Sequence, residues 1–598
     1  MRTGSEPWSR LPADPDFGAA PTQRSARERP RRSRHRPILR AACPLAPELR
    51  IVEVPDFAQL ARAFLDEEYA QSPSGASSLG LIEYDDQLED LSEAAFLRRS
   101  QRTDDWLGDF GSLDAASLNF DEMIDRDLAI ASLHRRGIFD GWEAWRRHPD
   151  TYLNPGLRGV FGLFLHRLRP EEELVAAAAA RLRAVPQNLE DGKRNLRDEL
   201  VPAILLDRAV NQAHAGARYA RELLPAEVTD GALRSQLAEA GAVAATAYEA
   251  YAVFLDEMRP RATGDWAFGE DRYSRILRDA ELLDLDARAL RERGRQQVEE
   301  LSGELRRCAR ELRSTDDWHA VLLELNEDHP TTPEEMRVGY EDWTAKARAF
   351  LVERELVTFP EGEVCTVEPS PPFQRPVIAV ASYQNPPASA PSMHGQFFVP
   401  FPPDGARPEE IAKRLESNSY PSIPSTSVHE AYPGHHWHLS RAKLNPSHLR
   451  QWLGTSYFSE GWALYSERMM REQGFFTDLR HRMFQYEATL FRAARIVADT
   501  SLHMGEMTWD EAVVYMMENS SLTEPTAKAE VTRYCSWPTQ ASAYLTGCLE
   551  IVRIRDRFLS ARGASTDDTE HLRDFHNALV SSGDLPIALA ERAVMAAV

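Results

Sequence analysis

The sequence predicts a mainly α protein carrying a small β-sheet insert, and three observations lead there. On both sides of the middle of the chain, long stretches space apolar residues three or four apart with charges between them. Only residues 359–425 break this texture, with many prolines and short β-type runs. No repeat of roughly 20–50 residues recurs, so a helical solenoid is not supported. With 598 residues, 43% hydrophobic and 27% charged, the chain has the composition of a globular protein and the length for a deep core.

Taken in order, residues 1–48 stand apart. They include RERPRRSRHRPILR, and residues 1–50 hold 11 arginines against five acids, a net +6 in a chain whose total is −23. This segment has no apolar stretch followed by a cleavage site, so it does not read as a secretory signal; a disordered Arg/Pro-rich tail is expected. Residues 49–598 then read as one helical domain. From Val52 to about Thr358, LVAAAAARLRAV (174–185) is made of the best helix formers, and residues 282–313 keep the helical spacing. Prolines 170, 186, 260, 330 and 333 are expected at helix ends or connections. Within 359–425, VIAVASY and GQFFVPF predict two or three short strands, GQFFVPF (395–401) being either an edge strand open to an extended peptide or a core strand. Helix returns over 426–598, with the helices of a metal site at about 426–470.

The composition excludes several functions. A net charge of −23 argues against a protein that grips nucleic acid by its phosphates. No apolar run reaches the ~20 residues of a membrane span, so no membrane partner is expected. The five cysteines are scattered, without a C-x-x-C pair, which speaks against a disulfide scaffold and for a reducing, cytoplasmic setting. There is no G-x-S-x-G elbow, no Walker loop and no pair of Glu-x-x-His motifs, so α/β-hydrolase, nucleotide-binding and di-iron readings fall away.

The densest chemical signal is STSVHEAYPGHHWHLS (425–440), which gathers His429, Glu430, His435, His436 and His438. Its start is like H-E-x-x-H, where two histidines one helical turn apart bind zinc and the glutamate is the base. Here, however, Pro433 occupies the fourth position after His429. On a straight helix His435 would stand ~9 Å above His429, whereas two nitrogens on one zinc lie only ~3.4 Å apart. Pro433-Gly434 offers a way out: the helix bulges or stops, and one of the next two histidines folds back. His435 is favoured, with His436 second. In YFSEGWALYSERM (457–469), Glu460 is the candidate third ligand, from a second helix packed beside the first, and Glu467, two turns on, is a candidate to hold a ligand histidine.

HEAYPGHH, EGWALYSE, RIVADTSLH and EVTRYCSWPTQASAYLTG together resemble the bacterial domain-of-unknown-function family 885, whose members carry an H-E-x-x-P-G-H-H signature and are regarded as metallopeptidases. The resemblance spans roughly residues 50–598. It implies a large helical peptidase-like fold, like that of angiotensin-converting enzyme, thimet oligopeptidase and the thermostable carboxypeptidases, with a deep channel between two helical halves and the small sheet near the active site. One departure stands out: the last motif is expected to read P-G-Q-A, and this chain has Pro538-Thr539-Gln540-Ala541.

The expected chemistry is then zinc-dependent hydrolysis of peptide bonds, with one Zn2+ held by His429, His435 and Glu460 and with Glu430 as general base. Because related helical peptidases supply a tyrosine from far downstream, Tyr544 or Tyr534 is expected to stabilise the oxyanion. Arg533 is the candidate to hold a substrate carboxylate. Asp499 and His503, four apart, form either a supporting pair or a plain helix-surface pair, and His394 is a further candidate near the oxyanion. The expected partner is a short peptide or a peptide-like small molecule. The alternatives are a metal-dependent amidohydrolase of a biosynthetic pathway and a helical binding protein without a metal, the latter disfavoured by the intact Glu430.

Overall fold

Helices carry nearly all the regular structure of the chain in its computed structural model, and the β structure among the described residues is confined to three short strands. The mainly α fold expected from the sequence is the fold observed. The structure describes residues 56–372, 375, 380–403, 405–596 and 598. The segment expected to be a disordered tail, 1–48, lies outside the described residues, as do residues 377–379 of VIAVASY.

Helix α1 (Glu171–Asn195) shows how the local code works. Three glutamates, 171–173, sit at its positive end and Lys193 and Arg194 at its negative end. Pro186, expected at a helix end, lies inside α1 instead. A mid-helix proline loses one main-chain hydrogen bond. Leu182, Val185 and Leu189 are nevertheless buried around it, against the alanine-rich face of α2 (Gly231–Met258), and tertiary packing holds the helix through the break. Proline behaves as expected at 170, which caps α1, at 260, in a short 3-10 turn, and at 333, the first residue of α4 (Pro333–Glu353). Between them runs α3 (Ala287–Arg313), whose buried Leu290, Gly294, Leu301, Leu305 and Cys308 form one apolar stripe.

The sheet follows α4. Strand β1 (Val364–Pro369) and strand β2 (Ser382–Gln384) flank strand β3 (His394–Val399), in the order β1-β3-β2. β1 pairs with β3 in parallel, Val367 level with Phe397, and β2 pairs with it antiparallel, Tyr383 level with Phe397. GQFFVPF is therefore the central strand. Both its edges are already paired and Phe397, Phe398 and Val399 are buried, so the alternative of an open edge for an extended peptide does not hold for β3.

The remaining helices build the site: α5 (Ile423–Glu430), α6 (His435–Ala442), α7 (Ser456–Glu472), α8 (Leu479–His503), α9 (Glu524–Ser536) and α10 (Ala543–Ala561). Trp437, Tyr457, Trp462 and Tyr465 from these helices fill the centre of the largest apolar core. α7 and α10 run side by side in the same direction. Tyr457 and Ser542 share a hydrogen bond of 3.0 Å at one end, and Arg555 donates to Glu472 at 2.6 Å at the other. Between these points the helices touch through glycines: a Cβ on Gly547 would sit 1.8 Å from the carbonyl oxygen of Tyr457, and one on Gly461 2.6 Å from the Cα of Gly547.

Gly547→Ala is accordingly expected to force the two backbones apart at a cost of about 1–3 kcal/mol, read as a lower midpoint of thermal unfolding. An unchanged midpoint would mean that α7 and α10 separate freely, and that their contact does not fix the position of Glu460.

Candidate metal centre

The chain between His429 and His435 turns back on itself. α5 ends at Glu430, and Ala431–Gly434 make a sharp turn with a cis Tyr432–Pro433 bond before α6 begins at His435. The Gly434 N–H donates to the carbonyl of Val428 at 3.0 Å, and the Trp437 N–H to that of Ala431 at 3.2 Å. Only glycine fits there: a Cβ on residue 434 would lie 1.8 Å from the His429 carbonyl oxygen and 2.3 Å from that of Val428. Trp462, on α7, donates its indole N–H to the Pro433 carbonyl at 2.8 Å. That bond ties the turn to the helix that carries Glu460.

The result brings three side chains to one point. The rings of His429 and His435 stand 5.0 Å apart and nearly perpendicular. Glu460 Oε2 lies 3.6 Å from the Nε2 of each. These distances are too long for hydrogen bonds and close to the ~3.4 Å between two ligand atoms around one tetrahedral zinc. The donor atoms of the three residues all lie within 4.8 Å of one another. Two imidazole nitrogens and a carboxylate oxygen are a donor set that zinc accepts.

A surrounding layer fixes these side chains. Glu467 accepts from His429 Nδ1 at 2.8 Å and from the Ser425 hydroxyl at 2.6 Å. The bond from Nδ1 to Glu467 orients the His429 ring so that its Nε2 faces Glu460. His436 is committed elsewhere: fully buried, it donates from Nε2 to Glu363 at 2.8 Å and accepts at Nδ1 from the Tyr383 hydroxyl at 2.9 Å. Glu363 also accepts from Tyr432, 2.7 Å, and from Arg348, 2.7 Å. His438 is bonded to Asp584 at 2.6 Å. His436, the second choice for a ligand, is therefore not brought to the triad.

The two glutamates differ in electrostatic setting. Burial pushes the Glu460 carboxyl up, but the two imidazoles outweigh it and hold it well below the usual carboxylate range. For His429, burial favours the neutral ring, while Glu460 and Glu467 win and raise it to about 9. Glu430, half-buried at the end of α5, is raised by burial and by the nearby Glu460, with His429, His435 and Arg492 acting the other way.

Tyr544 lies near the start of α10, level with the Glu460 turn of α7 by the register of the two helices, and its hydroxyl accepts from Gln540 Nε2 at 3.3 Å. Tyr534 is fully buried and donates to Glu530 at 2.8 Å. Arg533 donates to Glu530 at 2.9 Å and to Gln540 at 2.5 Å. Thr539, in the place where the family resemblance expects glycine, has a φ of 72° and is buried. Asp499 and His503 do not form a direct pair. Their closest approach is 3.5 Å, and His503 Nε2 instead donates to the Tyr534 carbonyl at 3.0 Å while Nδ1 accepts from the Phe268 N–H. Asp499 accepts from the Tyr273 hydroxyl at 2.5 Å. His394 bonds Thr366 at 2.9 Å at the exposed start of β3. Two cavities, of about 110 and 300 Å3, lie away from the triad, one lined by Leu464, Arg468 and Tyr486, the other by Trp266, Leu502 and Met507. Neither is the channel expected over the metal.

Fold and site together define a helical protein with a His-His-Glu cluster of metal-binding geometry and an adjacent glutamate. The chain belongs to the family described as bacterial protein of unknown function (DUF885), whose profile matches residues 73–594. Among solved structures it is similar to a "putative lipoprotein of unknown function" from Shewanella oneidensis, at 20% identity and a TM-score of 0.73, covering 90% of this chain and 99% of that one. It is likewise similar to a "putative lipoprotein" from Colwellia psychrerythraea, at 18% identity and a TM-score of 0.71, covering 91% and 99%. At these identities the likeness carries the fold alone, and neither relative supports the cytoplasmic setting expected from the cysteines. No curated protein matches the sequence. No helix among the described residues is long and apolar enough to cross a membrane.

Two outcomes follow from the supporting layer. Glu467→Gln is expected to weaken metal binding about 10- to 100-fold, measured by competition with a chromophoric chelator; unchanged affinity would show that the His429 Nδ1 bond is dispensable. Burial raises Asp499 from 3.8 to about 7, against the opposing pull of Tyr273, Arg533 and Ser542. Between those values the unfolded chain has lost this proton and the folded chain keeps it, so the Asp499 contribution to stability falls as pH rises through the window. The stability of wild type relative to Asp499→Asn should therefore drop by on the order of 2–4 kcal/mol from pH ~4 to pH ~7. Urea unfolding of both proteins at the two pH values checks this, and a difference that does not change with pH would refute a neutral buried Asp499.

Proposed function

We propose that the chain is a metal-dependent hydrolase that cleaves amide bonds of short peptides or peptide-like molecules, with one zinc ion held by His429, His435 and Glu460. The observation that carries this reading is the position of Glu430, next in sequence to His429 at the end of α5, within electrostatic reach of both histidines and Glu460. A merely structural histidine cluster has no need of a half-buried, unpaired carboxyl at that place.

When bound, zinc supplies a Lewis acid that polarises a carbonyl and brings the pKa of a water toward ~7. The protein's own groups do the rest. Glu430, whose raised pKa makes it a better base than an ordinary carboxylate, takes a proton from the attacking water and passes it to the leaving amine nitrogen as the C–N bond breaks. Tyr544 accepts from Gln540, so its own O–H proton is free to donate to the developing oxyanion. Tyr534 has no such freedom, because its proton is already given to Glu530. His435 and His429 keep their orientation because the turn at Gly434 and the Glu467 bond hold them.

The test begins with metal content by elemental mass spectrometry on protein purified without a metal-affinity tag. About one zinc per chain, lost in His429→Ala, is expected; no transition metal even after reconstitution would sink the reading. Glu430→Gln should then retain the metal and lose about 10²- to 10⁴-fold in peptide hydrolysis. Turnover near that of wild type would take the base role away from Glu430.

A further inference from the structure

Arg492 and Arg495 stack on Tyr544, Arg533 lies close by through Gln540, and among the described residues only one carboxylate, Glu530, pairs with any of the three. Arg495 is buried and donates to Glu530 at 2.7 Å and to the Tyr534 hydroxyl at 3.1 Å. Arg533 shares the same Glu530 and bonds Gln540. Both are spoken for. Arg492, one turn before Arg495 on α8, is not. Its one hydrogen bond is from Nη1 to the Ala488 carbonyl of its own helix, 3.0 Å, and its buried Nε meets no acceptor. Among the described residues no carboxylate pairs with it. Its guanidinium carbon lies 5.8 Å from the Tyr544 ring centroid and 5.6 Å from that of Phe491, and its charge reaches Glu430.

Arg492 is half-buried, its Nε is shut off from water without an acceptor, and its Nη2 makes no hydrogen bond to the protein, so the outer edge of the guanidinium is available to an anion. The flat fork of a guanidinium is shaped for two parallel bonds to a carboxylate. Its position beside Tyr544, which lies level with the Glu460 turn, puts it on the same side of the triad as the tyrosine proposed to meet the oxyanion.

We propose that Arg492 binds a carboxylate of the substrate, so that the site takes short peptides or peptide-like amides bearing a carboxylate close to the bond to be cut. This rests on the hydrolase reading and narrows its substrate class. Arg533, the arginine first expected in that role, is prevented from filling it by Glu530 and Gln540. The carboxylate has two possible sources with the same chemistry, a free C-terminus or an acidic side chain next to the scissile bond.

The experiment uses the metal-reconstituted full chain and three peptide analogues of one sequence, each with the scissile amide replaced by a methyleneamine. One ends in a free carboxylate, one in a carboxamide, and one in a carboxamide with aspartate following the replaced bond. Binding is measured by calorimetry to wild type, Arg492→Gln and Arg492→Lys. A carboxylate analogue should bind on the order of 10- to 100-fold more tightly than the neutral one, and which of the two does so identifies the source. Arg492→Gln should abolish that preference while leaving the neutral analogue unchanged, and Arg492→Lys should keep part of it. Equal binding of all three to wild type, or a uniform loss for all three in Arg492→Gln, would overturn the proposal, the second by showing a purely structural arginine. Metal content and hydrolysis of the parent peptides, followed in parallel, separate the two readings. Hydrolysis without a carboxylate preference removes the anchor alone, and a preference without metal uptake removes the hydrolase alone.

Discussion

The site depends on one constraint: His429 and His435 are six residues apart and must bring their rings to within 5.0 Å. A continuous helix cannot do this, because six residues rise ~9 Å along its axis. The chain meets the constraint by reversing over Ala431–Gly434, and the reversal is tight enough that residue 434 can have no side chain. The neighbouring elements then pin the reversal. Trp462 anchors it to α7, so the helix that presents Glu460 is placed relative to both histidines by the same bond. Glu467, two turns along α7, reaches back to His429. On the far side, Glu363 gathers His436, Tyr432 and Arg348, locking the first turn of α6 to the loop before β1.

Within that frame, two glutamates of identical chemistry acquire different behaviour. Glu460 faces two imidazoles and stays ionised, as its proposed role as a ligand requires. Glu430 is half-buried beside another carboxylate, and both effects favour its protonated form, although the histidines and Arg492 oppose them. Environments that push paired carboxyls apart are the usual way one site acquires both a fixed anion and a group that exchanges protons. The proposed division of labour follows from position alone: one carboxylate lies between two rings, the other just outside them.

Much of this was legible in the sequence, for a physical reason. The helical spacing, the proline-rich sheet insert and the His-Glu cluster are local patterns, and the Pro-Gly break announces its own consequence. What stayed hidden depends on contacts between distant segments. Glu363 lies in a loop 73 positions before His436, and Tyr383, the last residue of the VIAVASY run, lies 53 before it, with nothing in the local pattern to tie either to the histidine. Arg492 stands one turn ahead of a motif that draws the eye to Arg495 and Asp499. Pro186 continues its helix instead of ending it, because a propensity that ends exposed helices yields to burial on both sides. GQFFVPF left edge and centre open because alternation does not reveal how many neighbours a strand has. Only the pairing of β2 on its second side decides that.

The departure at Thr539 brings these threads together. A β-branched residue at a φ of 72° costs on the order of 1–3 kcal/mol, and the buried loop keeps it all the same. The next residue, Gln540, bonds Arg533 through its carbonyl oxygen and Tyr544 through its amide. One side chain thereby occupies the arginine expected from the sequence to meet a carboxylate and turns the tyrosine into an acceptor with its proton free. The loop thus helps to assign both positions: Arg533 is tied into the Glu530 network and Tyr544 is left able to donate, while Arg492 beside them has no carboxylate partner among the described residues. On the proposed reading, substrate preference at this site is set less by which residues line it than by which of them the protein has already satisfied.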